Sequence, residues 1–481
     1  MKHRTGLDRS QTLMFPERLE DYIGAENPVR FLDAFVVQLD LAALGFARTQ
    51  VAATGTPPYD PAMLLKLYLY GYLHRIRSSR LLEAECHRNV EVIWLTGKQA
   101  PDHKTIANFR KDHAPAFRAV HRRFRLLCHK LDLFGAQLVG VDGTKLAGVN
   151  SKDANFNEKK LRESLARADA QWAEYLQALD AADAAEPTEP PLSQADLQAK
   201  IAALQEKREW HAELLAQLDA EQTQISVTDP DARRMRTAKG SVVGYNAQAV
   251  VDDKNKLIVA QDVTNEETDL HQLAGMAREA QANLGVKRLE VVADTGYSTT
   301  AQVATCQQHG ITAYVPKADT SANTAQGLYG KSRFQYDAAK DVYVCPAGTA
   351  LTYRFSTEEK GRQVRYYRTS ACKGCALKKP CTRNRAGRTI TREQDEAVME
   401  AMAARVAAHP EKMKLRKLLC EHPFGTIKRF LGYSYFLMKG LVKVRGEWSL
   451  ITLAYNLKRV FNLVSFEKLM LAVGVKIPQR A

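Results

Sequence analysis

The first part of the chain has a helical hydrophobic period. In Tyr59-Asp-Pro-Ala-Met-Leu-Leu-Lys-Leu-Tyr-Leu-Tyr-Gly-Tyr-Leu73 the apolar stripe is Leu64, Leu67, Tyr68 and Tyr72. Asp60 is placed to cap that helix, with Pro61 at its first position, where a missing N–H costs nothing. A second helix is predicted over Ser79–Arg88. A third starts after an Asp102 cap in Pro101-Asp-His-Lys-Thr-Ile-Ala-Asn-Phe-Arg-Lys111. Lys104, Arg110 and Lys111 on it would face phosphates in a helix-turn-helix reading.

From residue 136 the period changes. Ala136-Gln-Leu-Val-Gly-Val-Asp142 reads as a strand ending at Asp142. After a long helical stretch, Val242-Val-Gly-Tyr-Asn-Ala-Gln-Ala-Val-Val-Asp252 and Lys256-Leu-Ile-Val-Ala-Gln-Asp-Val-Thr264 form a probable hairpin pair around a turn at 253–255. Residues 269–284 are helical in period. Lys287-Arg-Leu-Glu-Val-Val-Ala-Asp294 is a buried-type strand ending at Asp294. Residues 299–309 are helical and 311–315 form a short strand. The order is β-β-β-α-β-α-β, which is similar to a ribonuclease H-like core. In that topology the first and fourth strands are neighbours, so Asp142 and Asp294 would meet at adjacent strand ends. Two carboxylates that close repel unless a cation lies between them. Hard divalent ions such as Mg²⁺ favour such oxygen ligands, and a metal pair can clamp both oxygens of a phosphodiester displacement. A third carboxylate is expected later, on a helix. Glu421 and Glu447 are rivals that spacing alone does not separate. Pro423 is expected to disfavour helix at His422.

Composition then narrows the partner. The 481 residues carry a formal net charge of +15, with 45% hydrophobic and 26% charged residues. This excludes disorder as the main state and points to a polyanion. No apolar run is long enough for a membrane helix, and the start lacks a signal-peptide pattern, so a cytoplasmic protein is the expectation and no membrane partner is expected. Residues 161–225 hold five basic and thirteen acidic residues, a net of −8, leaving +23 for the remainder. This acidic stretch reads as two antiparallel helices, 157–185 and 193–224, broken at Glu186-Pro-Thr-Glu-Pro-Pro191. Residues 411–481 carry a net of +10. No internal repeat is visible.

Eight cysteines in such a setting should be reduced thiols or metal ligands. Cys345, Cys372, Cys375 and Cys381 fall within 37 residues, among Lys373, Lys378, Lys379 and Arg383. Four thiolates suit a tetrahedral structural Zn²⁺; the bland reading is a small β-rich insert with free thiols. Cys86, Cys128, Cys306 and Cys420 lie singly in apolar or helical segments and read as core residues. His422 reads as a packing or phosphate-contact residue rather than a proton shuttle.

Taken together, these segments resemble DDE transposases of bacterial insertion sequences, with an InsH-type N-terminal region and a ribonuclease H-like catalytic domain. The resemblance runs through Tyr68-Leu-Tyr-Gly-Tyr72, Pro101-Asp-His-Lys-Thr-Ile-Ala-Asn-Phe-Arg110, Val141-Asp-Gly-Thr-Lys145, Thr228-Asp-Pro-Asp231, Ala293-Asp-Thr-Gly-Tyr297 and Glu421-His-Pro-Phe-Gly-Thr-Ile-Lys428. It implies an α/β fold: an all-α DNA-binding region at 1–130 and a mixed-sheet catalytic domain at 131–481. Residues 153–226 would be a helical hairpin insertion and 318–400 a Cys-rich insertion. The resemblance maps the family's carboxylates onto Asp142, Asp294 and Glu421, holding Mg²⁺ or Mn²⁺, and a DNA-phosphate contact onto Lys428. In the pattern Tyr-x₂-Arg-x₃-Glu-x₆-Lys, Lys417 stands at the Arg position and Lys414 at the Tyr position. The implied partners are double-stranded DNA, as terminal inverted repeats and target, and a second copy of the chain when DNA is bound. The implied reaction is end cleavage followed by strand transfer. Competing readings are a non-catalytic DNA-binding repressor and a nuclease without strand transfer.

Overall fold

The computed structural model describes residues 18–50, 57–184, 194–218, 223–237, 240–317, 322–359 and 361–475. The predicted break at 186–191 lies outside the described residues. Among the described residues no helix is long and apolar enough to cross a membrane.

Six helices come first: α1 (Pro28–Val37), α2 (Pro61–Leu73), α3 (Ser79–Arg88), α4 (Val90–Thr96), α5 (His103–Asp112) and α6 (Ala114–Lys130). Both predicted caps form. Asp60 accepts from Ala62 N at 2.8 Å, and Asp102 accepts from Lys104 N at 2.8 Å and Thr105 N at 3.0 Å.

The central mixed sheet contains β1 (Leu138–Ala147), β4 (Arg233–Thr237), β5 (Gly240–Asp252), β6 (Ile258–Thr264), β7 (Leu289–Val292) and β8 (Ile311–Tyr314). β5 lies antiparallel between β1 and β6, with β4 on its first stretch. β1 pairs parallel with β7, and β7 parallel with β8. Helices α9 (Leu273–Leu284) and α10 (Thr300–Gln308) connect these strands. Between β1 and β4 stand the short pair β2 (Asn155–Asn157) and β3 (Gln224–Ser226) and the hairpin α7 (Glu158–Ala184) and α8 (Gln194–Ala216). Helix α8 ends eight residues earlier than its pattern suggested.

After β8 come a short turn of helix, α11 (Ala322–Ala325), and a five-stranded antiparallel sheet, β9 (Gln335–Asp337), β10 (Val342–Val344), β11 (Ala350–Glu359), β12 (Arg362–Arg368) and β13 (Thr389–Glu393). The single turn α12 (Lys378–Cys381) lies between β12 and β13. The chain then forms α13 (Glu396–Ala408), α14 (Pro410–Gly425), α15 (Leu441–Leu463) and α16 (Phe466–Ala472).

Helix α15 joins the N-terminal helices to the sheet. One continuous apolar cluster includes Phe31, Tyr68 and Phe117 from the first helices, Val141, Val250 and Val259 from the sheet, and Trp448, Ile451 and Leu457 from α15. The polar side chains of α15 tie into the sheet's backbone. Asn456 bonds both N and O of Ile258, each at 2.9 Å, and Trp448 Nε1 donates to Gln248 O at 3.0 Å. Asp229 and Asp231, from the Thr-Asp-Pro-Asp segment, accept from Gly440 N and Leu441 N and so fix the start of α15. The four isolated cysteines, Cys86, Cys128, Cys306 and Cys420, are buried as expected.

Candidate active site

Strand β1 alternates its side chains between two faces. Val139 and Val141 join the main core. Leu138 packs with Val292, Leu419 and Cys420, on the side of α14. Gly140 and Asp142 share that second face. Gly140 lets α14 approach closely: a Cβ there would lie 2.9 Å from Cys420 Sγ and 3.2 Å from Leu419 Cβ.

Asp142 is not at a strand end, where the reading of 136–142 put it. β1 continues to Ala147, because residues 139–147 pair without interruption with 244–252 of β5. The glycine has another cause. A Cβ at Gly143 would lie 2.3 Å from Gln248 Nε2 and 2.8 Å from Asp269 Oδ1, so only glycine leaves room for those side chains. What stops at Gly140 is the parallel pairing, where Gly140 faces Val292. Asp294 follows two residues after that pairing ends, close enough for its charge to act on Asp142. Asp294 caps a 3-10 turn, Thr295–Tyr297, by accepting from Gly296 N at 2.8 Å.

Asp142 carries the mark of its neighbours. Burial, with Asp294 and Asp269 close by, pushes the Asp142 carboxyl up to about 6, against a bond from Gly143 N and the charge of Arg416. Burial also raises the Cys420 thiol, reinforced by Asp142, Asp294 and Glu421 around it. Glu421 is thus the exposed neighbour of a buried cysteine seated against β1. Its helix runs through Pro423 rather than stopping at His422, and a π-helical turn, Thr426–Phe430, follows. That turn carries Lys428, which donates to Thr144 Oγ1 beside Asp142. Burial lowers the Lys428 ammonium and Asp142 opposes that shift.

Glu447 lies elsewhere. It is 1% exposed and accepts from Leu437 N at 2.8 Å, Met438 N at 3.0 Å and Tyr72 OH at 3.3 Å, with Arg77 at 3.5 Å. Arg110 belongs to the same buried patch. Instead of facing outward from α5, it donates to Tyr72 OH and Arg77 O, each at 3.1 Å. Lys104, Lys111 and Lys417 are exposed. His422 packs between Tyr455 and Arg459.

Two residues near the site carried no sequence signal of that role. Asp269 read only as a helix start, and Arg416 stood beside the residue matched to the pattern. Among the described residues, no three Cys, His, Asp or Glu side chains stand at metal-holding spacing. The donor set nevertheless fits a hard cation: oxygen ligands only, with one carboxyl held up by burial and, after it, by the negative charge of Asp294 and Asp269.

The four clustered cysteines border one cavity without standing at metal-holding spacing. Cys345, Cys372, Cys375 and Cys381 line one cavity of about 30 Å³ with Leu351 and Arg388. Arg388 is 6% exposed and its Nε has no hydrogen-bond partner.

Comparison with known proteins gives two family matches. A transposase DDE domain matches residues 344–461, which include Glu421 and Lys428 but neither Asp142 nor Asp294. A transposase domain (DUF772) matches residues 17–112, the N-terminal helices. No curated protein matches. Among solved structures, a piggyBac transposase synaptic complex with hairpin DNA matches over 95% of this chain and 78% of that chain, at 9% identity. Its TM-score of 0.33 is too low to carry an argument. A DDE domain implies nuclease and transposition chemistry. A match to a transposase domain toward each end supports a DDE-type insertion-sequence transposase.

Proposed function

We propose that the chain binds the terminal inverted repeats of an insertion sequence and catalyses divalent-metal-dependent cleavage and strand transfer of DNA. The observation that carries this reading is that β1 and β7 run side by side up to Gly140 and Val292, with α14 packed over Gly140 and the charge of Asp294 reaching Asp142, which supports the pairing of the two carboxylates. The strand order β6-β5-β1-β7-β8 supports a ribonuclease H-like core, with α7–α8 and β9–β13 as its two insertions.

Asp142, Asp294 and Glu421 would hold Mg²⁺ or Mn²⁺, which supplies charge neutralisation at the reacting phosphate when bound. Lys428, held at Thr144, is the cation placed to bind that phosphate. The residues' work is positioning: the attacking oxygen must lie in line with the leaving one. In the first stage water adds to a terminal phosphorus, the phosphodiester bond breaks, and a 3′-OH is freed. In the second that 3′-OH attacks target DNA, forming one phosphodiester bond as another breaks. Exposed Lys104, Lys111 and Lys417 contact DNA phosphate, and two copies bridge the two ends. Labelled element ends with Mg²⁺ and a target plasmid test the reading. Cutting and joining are expected. Binding without cutting would favour a repressor, and cutting without joining a nuclease.

The same reading includes a structural zinc at Cys345, Cys372, Cys375 and Cys381. It is supported by their shared cavity and by the unpartnered Arg388 Nε, which suits an anionic tetrathiolate. Elemental analysis should give one zinc per chain, lost on joint Cys372→Ser and Cys375→Ser substitution. Less than half a zinc per chain would contradict the site.

A further inference from the structure

Asp269 lies just before α9, yet its carboxylate reaches the middle of the sheet. It accepts from Lys145 Nζ at 3.1 Å, from Asn246 Nδ2 at 2.7 Å and from Gln248 Nε2 at 2.7 Å. Lys145 is on β1, three residues past Asp142. Asn246 and Gln248 are fully buried on β5, opposite Lys145 and Gly143. The amide of Gln248 is shared further: its Nε2 donates to Asn246 Oδ1, and its Oε1 accepts from Tyr297 OH. Tyr297 is buried at the end of the turn that Asp294 caps.

One carboxylate therefore binds three elements at once: the strand of Asp142, the central strand β5, and through Gln248 the turn of Asp294. The two glycines of the site fit the same arrangement. Gly143 makes room for the Gln248 amide and Asp269, and a Cβ at Gly296 would sit 3.0 Å from Asp294 Oδ1 and 3.9 Å from Asp269 Oδ2. A charged acceptor also fixes the orientation of the two amides, since each must turn its NH₂ toward it. Lys145 and Asp269 keep partial access to water, at 14% and 23%, while Asn246, Gln248 and Tyr297 are buried.

We propose that Asp269 is a positioning residue of the active site, holding Asp142 and Asp294 at the spacing that metal and phosphate require through Lys145, Asn246 and the Gln248–Tyr297 bond. The proposal rests on reading Asp142 and Asp294 as the metal-holding pair. Carboxylates that orient metal ligands from outside typically change metal affinity about 10–100-fold when removed.

The test uses the full chain with Asp269→Asn, Tyr297→Phe and, as a control, Asp294→Asn. Mn²⁺ binding is followed by electron paramagnetic resonance, and single-turnover end cleavage is measured at saturating DNA. Asp269→Asn should weaken Mn²⁺ binding about tenfold and slow cleavage at least tenfold, with end-DNA affinity within twofold and the melting curve retained. Tyr297→Phe should show the same pattern more weakly. Wild-type Mn²⁺ affinity and cleavage rate in both variants would overturn the proposal. So would an Asp269→Cys chain whose loss is rescued by Mn²⁺ or Cd²⁺ over Mg²⁺, since that marks a direct ligand. If the wild-type chain binds Mn²⁺ through Asp294 yet cuts no DNA, the cleavage reading fails while the metal arm still judges Asp269.

Discussion

Two acidic patches of this molecule are built from the same residue types to opposite ends. Around Glu447 every carboxylate oxygen meets a donor: two backbone N–H groups, Tyr72, and Arg77, with Arg110 behind. Asp142 lies within reach of the charges of two further carboxylates, Asp294 and Asp269, and of the cations Arg416 and Lys428. A buried acid with its full set of donors is part of the frame. Acids within reach of one another's charge beside α14 are the ones the proposed function assigns to a metal. Glu447 is buried with its own donors, and the proposed function therefore takes Glu421 as the third carboxylate.

The largest expected effect is on the open patch. Asp142→Asn or Asp294→Asn should bring end cleavage below detection while gel shifts with terminal repeats stay unchanged. Glu421→Gln should do the same. Next comes the closed patch. Glu447→Ala leaves Arg77 and Arg110 buried without their acid and should cost about 3–5 kcal/mol, read in denaturant unfolding. If Glu447→Ala instead kept full stability and lost only cleavage, the two patches would have exchanged roles. Gly143→Ala forces a Cβ against Gln248 and should cost about 1–3 kcal/mol, with slowed cleavage as its distinguishing sign.

The smallest effect is a pH dependence far from both patches. His121 is fully buried, and burial with Arg125 and Arg118 nearby holds its pKa well below 6.5. The unfolded chain therefore takes up the proton first as pH falls below about 6.5. Stability is fully present above that pH and declines beneath it, by at most about 1.4 kcal/mol per unit from this group. A His121→Gln chain should show a flatter decline in unfolding free energy between pH 6.5 and 5.

Local chemistry made much of the frame legible. Asp60 and Asp102 cap the helices they precede because capping needs only the next three residues. The period-two runs around 242–252 and 256–264 became β5 and β6. What escaped depends on distant partners. Arg110 looks like a surface cation until Tyr72, Arg77 and Glu447 close over it. Asp-Gly at 142–143 looks like a turn until Gln248, from β5, needs the glycine's space. Asp269 looks like a helix start, and only the packed sheet brings it to Lys145, Asn246 and Gln248. The N-terminal helices share one core with the sheet because α15, some 380 residues after α2, lies between them.

The most direct test of the account replaces Mg²⁺ with Fe²⁺ in the full chain and maps oxidative backbone scission with ascorbate and peroxide. Cuts clustered near Asp142, Asp294 and Glu421, suppressed by excess Mg²⁺ and absent in Asp294→Asn, are the predicted result. Cuts confined to other segments, or a pattern unchanged by Asp294→Asn, would contradict the claim that these three carboxylates share one metal site.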